Sequence, residues 1–473
     1  MNIKIIGISK NNYKKLFVYL ICIIILVIVV QFEPPGDLSS AGFKMLGIAL
    51  ISAILWTTEA VPIPVTALVI IFLQTVLGIN TLADVLRYIA HPVNALLFIG
   101  FSLAAGLKKY NLDKIISYKI IKYSGAEVNK LLLRLMLVVA FLSMWMSNTA
   151  TVAVMIPIAE SILFTTKKEY VNIKKIFMIG IAYAGTIGGM GTPVGTTPNP
   201  ITIGLLQEMA DININFLDWV LIGLPFTLIL IPIAWLLLIW LYPPEIKKID
   251  IAVKNLDKYD KVENLYEIKK FLIYFFLIVF MWISGSFLPV PEDWLYIVSL
   301  GGVILLYLPL GGVLEWEEAH ENVDWGVLIL IGGGLSLGSG LSNTGAINWF
   351  IRLIFQYVSN LPVFIIAILI AGLTSISILF FCSITATSTT FVPIAITLAI
   401  QLDINPVFLG AAAGIASSFA YILPANTPPN AIAYSSGYFE TKDMMKIGFI
   451  LLVISLIVFM VIARFLWPVL FSA

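Results

Sequence analysis

Charge is what this sequence has least of. Only 12% of its 473 residues are Asp, Glu, Lys or Arg, against 60% hydrophobic, and the mean hydropathy is +1.00. A soluble domain carries about 25% charged residues, so a water-soluble globular fold is excluded and the chain reads as a polytopic membrane protein. The few charges nearly cancel, to a net +1, and no basic patch gathers, which excludes a nucleic-acid partner. Cysteine is almost absent: Cys22 and Cys382 both lie in apolar stretches, giving neither a disulfide framework nor a metal cluster. The two histidines, His91 and His320, stand at the ends of spans without the spacing that metal ligation needs. No nucleophile sits beside a base, so no enzymatic chemistry can be placed.

What is present is organised around MWMSNTATVAVMIPIA, centred on Ser147, Asn148 and Thr149. The apolar segments on either side are each too short for a hydrocarbon core that needs roughly 20 helical residues. Two half-length helices meeting at a polar tip make a re-entrant hairpin, and irregular backbone at membrane depth persists only in protein or along a wet cavity. A second copy, ISILFFCSITATSTTFVPIA, puts Ser383, Ile384 and Thr385 in the matching places. Each hairpin is followed by an interrupted helix, and Thr196-Thr197-Pro198-Asn199 answers Thr427-Pro428-Pro429-Asn430. Paired interruptions in two halves of a chain point to a transporter binding site.

In chain order, a lysine-flanked first helix retains a cytoplasmic N-terminus by the positive-inside rule. Spans follow at about 43–58, 62–79 and 91–107, with Glu59 at a membrane boundary and proline at 62 and 64 separating two of them. The lysine-rich segment after residue 107 fits an amphipathic helix in the cytoplasmic interface. The first hairpin (about 132–160), the first broken helix (about 176–206) and a span at about 216–242 complete the first half. Residues 243–270 form a charged cytoplasmic linker. The second half has spans at about 271–288 and 293–313, an acidic connector, and the element WGVLILIGGGLSLGSGLSNTGA, in which Ser342-Asn343-Thr344 reads as a helix end. A span at about 361–379, the second hairpin, the second broken helix and a last span at about 446–469 follow. The expected fold is all-α, with two inverted repeats and about 11 transmembrane helices. The expected divisions are 1–110 and 271–345 for scaffold helices, 111–215 and 346–473 for transport elements, and 216–270 for the joining span and linker.

The tips offer amides, hydroxyls and glycines but no Lys or Arg. An anion held there depends on polar side chains and on helix N-termini, whose unpaired N–H groups favour negative ligands. The same hairpins can present carbonyls and hydroxyls to a hard cation such as sodium, and Ser143, one turn before Ser147, faces the right way to add one.

The stretches EAVPIPVTAL, FLSMWMSNTAT, YAGTIGGMGTPVGTTPN, WGVLILIGGGLSLGSGL and SSFAYILPANTPPNAIA together resemble the divalent anion/sodium symporter family of di- and tricarboxylate transporters over nearly the whole chain. The resemblance implies a homodimer in the cell membrane, in contact with membrane lipid. In it a rigid scaffold holds the partner and a transport domain moves like an elevator. It implies that the carboxylates of a small dicarboxylate meet Asn148, Thr149, Thr196, Thr197, Ser383, Thr385, Thr427 and Pro428. It would place a first sodium on Ser143, Ser147, Asn148 and Gly195, with no other cofactor. The second half departs from the family pattern: Ile384 replaces the amide of Ser-Asn-Thr, Leu379 a hydroxyl and Asn426 a small residue. The expected function is exchange of succinate, malate, fumarate or 2-oxoglutarate with little or no sodium dependence. The alternative is sodium-coupled symport through the first site. An anion channel lacks a repeated pore signature, and a phosphate or sulfate carrier would be expected to bring Arg or Lys to its site.

Overall fold

The computed structural model describes residues 10–124, 127–164, 166–167, 169–249 and 264–470. Among them every regular element is a helix, and β pairing is limited to an isolated bridge between Glu127 and Lys248. The first part of the chain forms α1 (Lys10–Gln31), α2 (Ser40–Thr58), α3 (Ile63–Val76), α4 (Leu82–Leu86) running into a 3₁₀ turn (Arg87–Ala90), α5 (Val93–Lys109), α6 (Leu112–Ser124), α7 (Val128–Ser143), α8 (Asn148–Leu163), α9 (Val171–Gly189), α10 (Pro198–Ala210) and α11 (Phe216–Leu241). Then come α12 (Leu265–Ser284), α13 (Trp294–Tyr307), α14 (Trp316–Asn322), α15 (Trp325–Asn343), α16 (Ala346–Val358), α17 (Val363–Phe381), α18 (Ile384–Gln401), α19 (Pro406–Ala416), α20 (Pro428–Ser435), α21 (Thr441–Val461) and, after a π-helical turn (Ile462–Leu466), α22 (Trp467–Leu470). The order of element types from α2 to α11 recurs from α12 to α21.

Among the described residues eight helices are long and apolar enough to cross a membrane: Tyr13–Gln31, Ser40–Thr58, Leu82–Lys109, Phe216–Leu241, Trp325–Asn343, Val363–Phe381, Ile384–Gln401 and Thr441–Leu470. In the first hairpin the arms α7 and α8 have 16 residues each, as the half-length reading expects. The second hairpin differs. Its incoming arm is the whole of α17, 19 residues without interruption, so the separate span expected at about 361–379 and the start of this hairpin are one helix. The linker expected at 243–270 lies in large part, residues 250–263, outside the described residues.

The chain divides into two compact units. One comprises residues Met1–His91 and Trp325–Asn360. Inside it α15 packs on α3, where Gly333 lies against the Ala67 backbone with no room for a Cβ, and buried Gln74 donates from Nε2 to Ser336 Oγ at 2.8 Å. Hydrogen bonds of this kind join apolar helices that gain little from hydrophobic contact in lipid.

The other unit comprises Pro92–Asp324 and Leu361–Ala473 and holds both hairpins and both broken helices. Its long helices α11 and α21 begin with capping boxes, Asn215 with Asp218 and Glu440 with Asp443. Such boxes satisfy the orphan N–H groups of a first turn. Helix α6 buries an acid: Asp113 is 1% exposed, its Oδ1 accepts from the Lys114 backbone N–H at 2.8 Å, and its Oδ2 has no partner. Burial raises the Asp113 pKa above the usual carboxylate value, because desolvation penalises the charged form. The fold therefore bears that penalty above the raised pKa and is relieved of it as pH falls through it. Asp113→Asn keeps the accepting oxygen, so it is expected to raise the unfolding temperature at pH 8 and to raise it less at pH 5. Thermal unfolding in detergent at both values checks this; an unchanged temperature at pH 8 would contradict it.

Candidate functional site

At the first tip α7 ends at Ser143 and α8 begins at Asn148. The Ser147 hydroxyl caps α8 by accepting from the Ala150 N–H at 3.2 Å. Asn148 points back into the protein and is 6% exposed. Its side-chain Oδ1 lies 2.7 Å from Ser143 Oγ, which is also 2.7 Å from the Gly185 carbonyl. The same amide position stands 3.2 Å from both the Gly185 and the Gly195 carbonyls. On its other side the amide nitrogen faces Thr196 Oγ1 at 3.3 Å. Glycine is required around it: a Cβ at Gly189 would collide with the Asn148 amide, and one at Gly195 with the carbonyls of Gly189 and Ser143.

The break between α9 and α10 is held by Asn199, fully buried, whose Nδ2 donates to the Gly189 carbonyl at 2.9 Å and to the Thr192 carbonyl at 2.6 Å. Those are carbonyls left without helical partners where α9 stops. Thr192 in turn donates from Oγ1 to the Met144 carbonyl at 2.5 Å, fastening break to tip. The second break repeats the arrangement. Asn430 donates to the Ala420 carbonyl at 2.8 Å and the Leu423 carbonyl at 3.1 Å, at the same offsets of ten and seven residues back along the chain. Sequence reasoning matched the two Pro-Asn pairs but missed this role; α9 ends ten residues before Asn199 and α19 fourteen before Asn430, so no common spacing from a helix end marked it. An unpaired buried carbonyl costs about 1–3 kcal/mol. Asn199→Ala and Asn430→Ala are thus each expected to destabilise the fold by about 2–4 kcal/mol, read as a lowered unfolding temperature. A melting temperature equal to wild type for either would contradict the assignment.

At the second tip Cys382 closes α17 in the left-handed region (φ 47°). The Ser383 hydroxyl accepts from the Ala386 N–H at 3.2 Å, and Thr427 caps α20 by accepting from the Asn430 N–H at 3.4 Å. Helix α18 packs against α10, and α20 against α8, so each hairpin lies on the post-break helix of the other half. The closest polar meeting is between Thr197 Oγ1 and Thr385 Oγ1, 2.6 Å apart across 188 residues of sequence. Of the residues expected at the site, the structure brings together Ser143, Asn148, Gly195 and Thr196 in one cluster and Thr197 with Thr385 in another. Thr149 lies one residue inside α8 and Pro428 opens α20. The hydroxyls of Ser147, Ser383 and Thr427 serve as caps within their own elements. Segments 140–152, 185–200, 378–390 and 416–431 contain no Asp, Glu, His, Lys or Arg, and no His/Cys/Asp/Glu metal cluster occurs among the described residues.

The cluster around Asn148 suits a hard monovalent cation. With the Asn148 amide oxygen turned inward, four oxygens converge, from Ser143 Oγ, Asn148 Oδ1 and the carbonyls of Gly185 and Gly195, with the single Ser143 proton among them; with the amide turned over, Nδ2 takes that place and donates to Ser143 Oγ and the two carbonyls. Gly185 was not expected there. The matching place in the second half is filled. Asn426 inserts its amide, with Nδ2 donating to the Ile378 carbonyl at 3.0 Å and Oδ1 accepting from the Leu423 N–H at 2.8 Å, while Leu379 and Ile384 offer no side-chain oxygen. A side chain with its own N–H donor stands there where the first half has Gly195.

The transmembrane region of sodium:sulfate symporters matches residues 13–473. The chain belongs to that family. Among its relatives, a protein of Staphylococcus saprophyticus named sodium-dependent dicarboxylate transporter SdcS is 33% identical over 94% of this chain and 90% of its own length. An uncharacterized transporter of Haemophilus influenzae is 33% identical over 97% and 98%, and SdcS of Staphylococcus aureus 32% over 94% and 90%. In fold the chain is similar to the YdaH transporter of Alcanivorax borkumensis (TM-score 0.53, 12% identity, 96% of this chain and 99% of that one). It is also similar to MtrF of Neisseria gonorrhoeae (TM-score 0.55, 14% identity, 95% and 94%). The family member described here is a multi-pass membrane transporter, not an enzyme.

Proposed function

We propose that the chain is a carrier of four-carbon dicarboxylates such as succinate, malate and fumarate, with 2-oxoglutarate also admitted, and that it loads one sodium per anion and works chiefly by exchange. The observation that supports it most is the approach of Thr197 and Thr385, which sets hydroxyls from both halves beside the N-termini of α8, α10 and α18 with no cationic side chain. Helix N-termini and hydroxyls favour a divalent anion there. In this reading the carboxylates are received by Asn148, Thr149, Thr196, Thr197, Ser383, Thr385, Thr427 and Pro428. The carrier is a homodimer in the cell membrane with a cytoplasmic N-terminus, and its inverted repeats move the hairpins and broken helices as an elevator.

Sodium would be held by Ser143, Asn148 and the carbonyls of Gly185 and Gly195, with Ser147 shaping the turn; it supplies positive charge next to the anion. The names of the Staphylococcus relatives support sodium use. The amide of Asn426 supports a limit of one. One sodium carried with a dianion moves one net negative charge, which costs ~2.3 kcal/mol per 100 mV against an inside-negative potential. A tenfold sodium gradient returns only ~1.4 kcal/mol. Exchange of one loaded anion for another moves no net charge and escapes this opposition.

Uptake of labelled succinate into proteoliposomes, with and without unlabelled succinate inside and with choline replacing sodium, tests the proposal. Internal succinate is expected to raise uptake severalfold, and sodium to increase apparent affinity with a Hill coefficient near one. Equal uptake without internal succinate, driven by sodium with a Hill coefficient of two or more, would replace this reading with multi-sodium symport.

A further inference from the structure

We infer that the Asn148 side-chain amide is a two-position relay, making Thr196 a hydrogen-bond donor to the anion only when a cation sits on the amide's other face. This rests on the one-sodium reading above. Ser143 Oγ has one proton and two acceptors at 2.7 Å, Asn148 Oδ1 and the Gly185 carbonyl. With Oδ1 turned inward it also stands 3.2 Å from the carbonyls of Gly185 and Gly195, so acceptors face one another. Facing acceptors buried from water are costly, and two arrangements relieve them.

In one, a cation lies among the four oxygens. In the other, the amide makes a half-turn about its last side-chain bond, which leaves its shape almost unchanged because oxygen and NH₂ are nearly equal in size. Nδ2 then donates inward, reaching Ser143 Oγ at 2.7 Å and the Gly195 carbonyl at 3.2 Å. The amide protons take the place of the positive charge.

The far end of the amide changes polarity with the same turn. With the cation arrangement Nδ2 faces Thr196 Oγ1 at 3.3 Å and donates to it, which leaves the Thr196 proton free for a carboxylate oxygen. With the turned arrangement Oδ1 faces Thr196 and accepts that proton at the same distance. An arriving carboxylate then meets a lone pair. Sodium and anion are thereby coupled through one amide and one hydroxyl, without movement of the backbone. The second half has no such device, since Ile384 occupies the matching position.

The test is equilibrium binding of labelled succinate to the purified full-length protein in sodium and in choline. Sodium binding is read separately as thermal stabilisation without succinate. Wild type is expected to bind succinate roughly tenfold or more tighter in sodium, the worth of one hydrogen bond to a charged group. Thr196→Val is expected to keep the sodium stabilisation and to bring the sodium-to-choline affinity ratio near one, and Thr196→Ser to restore it. Asn148→Asp can ligate sodium but cannot donate to Thr196, so its ratio is expected to fall below wild type. Charge repulsion alone predicts the opposite, because sodium would neutralise the new carboxylate. Thr196→Val that binds more weakly in both salts yet keeps the wild-type ratio would overturn the relay while leaving the carrier reading intact. Wild-type protein that binds no succinate in either salt would overturn the carrier reading itself.

Discussion

Asn148→Ala is expected to yield a folded, monodisperse protein whose affinity for succinate is lower by at least about a hundredfold and whose counterflow is lost. The side chain faces the oxygen cluster on one side and Thr196 on the other, so its removal takes away a cation ligand and the group that orients an anion ligand. Two contacts to charged species at ~1.5–3 kcal/mol each amount to roughly 10²–10⁴ in affinity. The fold bears less of the loss, because Ser143 still donates to the Gly185 carbonyl and the α8 cap on Ser147 is untouched. Succinate binding by isothermal titration, with size-exclusion elution as the folding control, reads both. Binding within fivefold of wild type would remove Asn148 from the site.

The second large effect concerns coupling. The second half differs from the first at three matched positions, Leu379 for Ser143, Ile384 for Asn148 and Asn426 for Gly195, and Asn426 fills the space with its own amide on the Ile378 carbonyl. Restoring the first-half residues by Leu379→Ser, Ile384→Asn and Asn426→Gly together should open an oxygen-lined space for another hard cation. The Hill coefficient of sodium for succinate uptake is then expected to rise from near one to near two. Ile384→Asn alone should strengthen sodium dependence less, since the Asn426 amide remains in place. A triple variant that transports succinate with an unchanged Hill coefficient would show that these residues do not limit coupling.

Much of this architecture was legible in the chain, for definite reasons. Long apolar runs announce spans because backbone groups in lipid must be satisfied within a helix. The polar tripeptide at Ser147 stood out because it interrupts a run that is otherwise apolar. The elements that escaped are short ones that no span reading calls for. Helix α16, AINWFIRLIFQYV, is strongly amphipathic, burying Ala346, Ile347 and Ile351, but at 13 residues it is too short for a span. Helix α14 is seven polar-rich residues inside what read as an acidic connector, held by a Glu315–Glu318 capping box. The α17 arm was divided in two because its apolar run carries no mark of where a span ends and a hairpin begins.

At the site, residue types were legible and distances were not. Thr197 and Thr385 each stood out within a repeated motif, but no spacing rule sets the distance between residues 188 positions apart. Asn199 and Asn430 were visible only as partners in a repeat, since an amide that satisfies two carbonyls of a broken helix looks in sequence like one that binds a ligand. Gly185 was invisible for a related reason: it contributes a backbone carbonyl, and every residue has one.

The central claim is that both halves together hold a dianion with hydroxyls, an amide and helix N-termini, without a cationic side chain. A cryo-electron microscopy structure of the protein in lipid nanodiscs with sodium and succinate tests it most directly. The account predicts succinate density between Asn148, Thr149, Thr196 and Thr197 on one side and Ser383, Thr385 and Thr427 on the other, with the Thr197–Thr385 hydrogen bond parted to admit it. Succinate seated elsewhere, or gripped by a lysine or arginine, would contradict it.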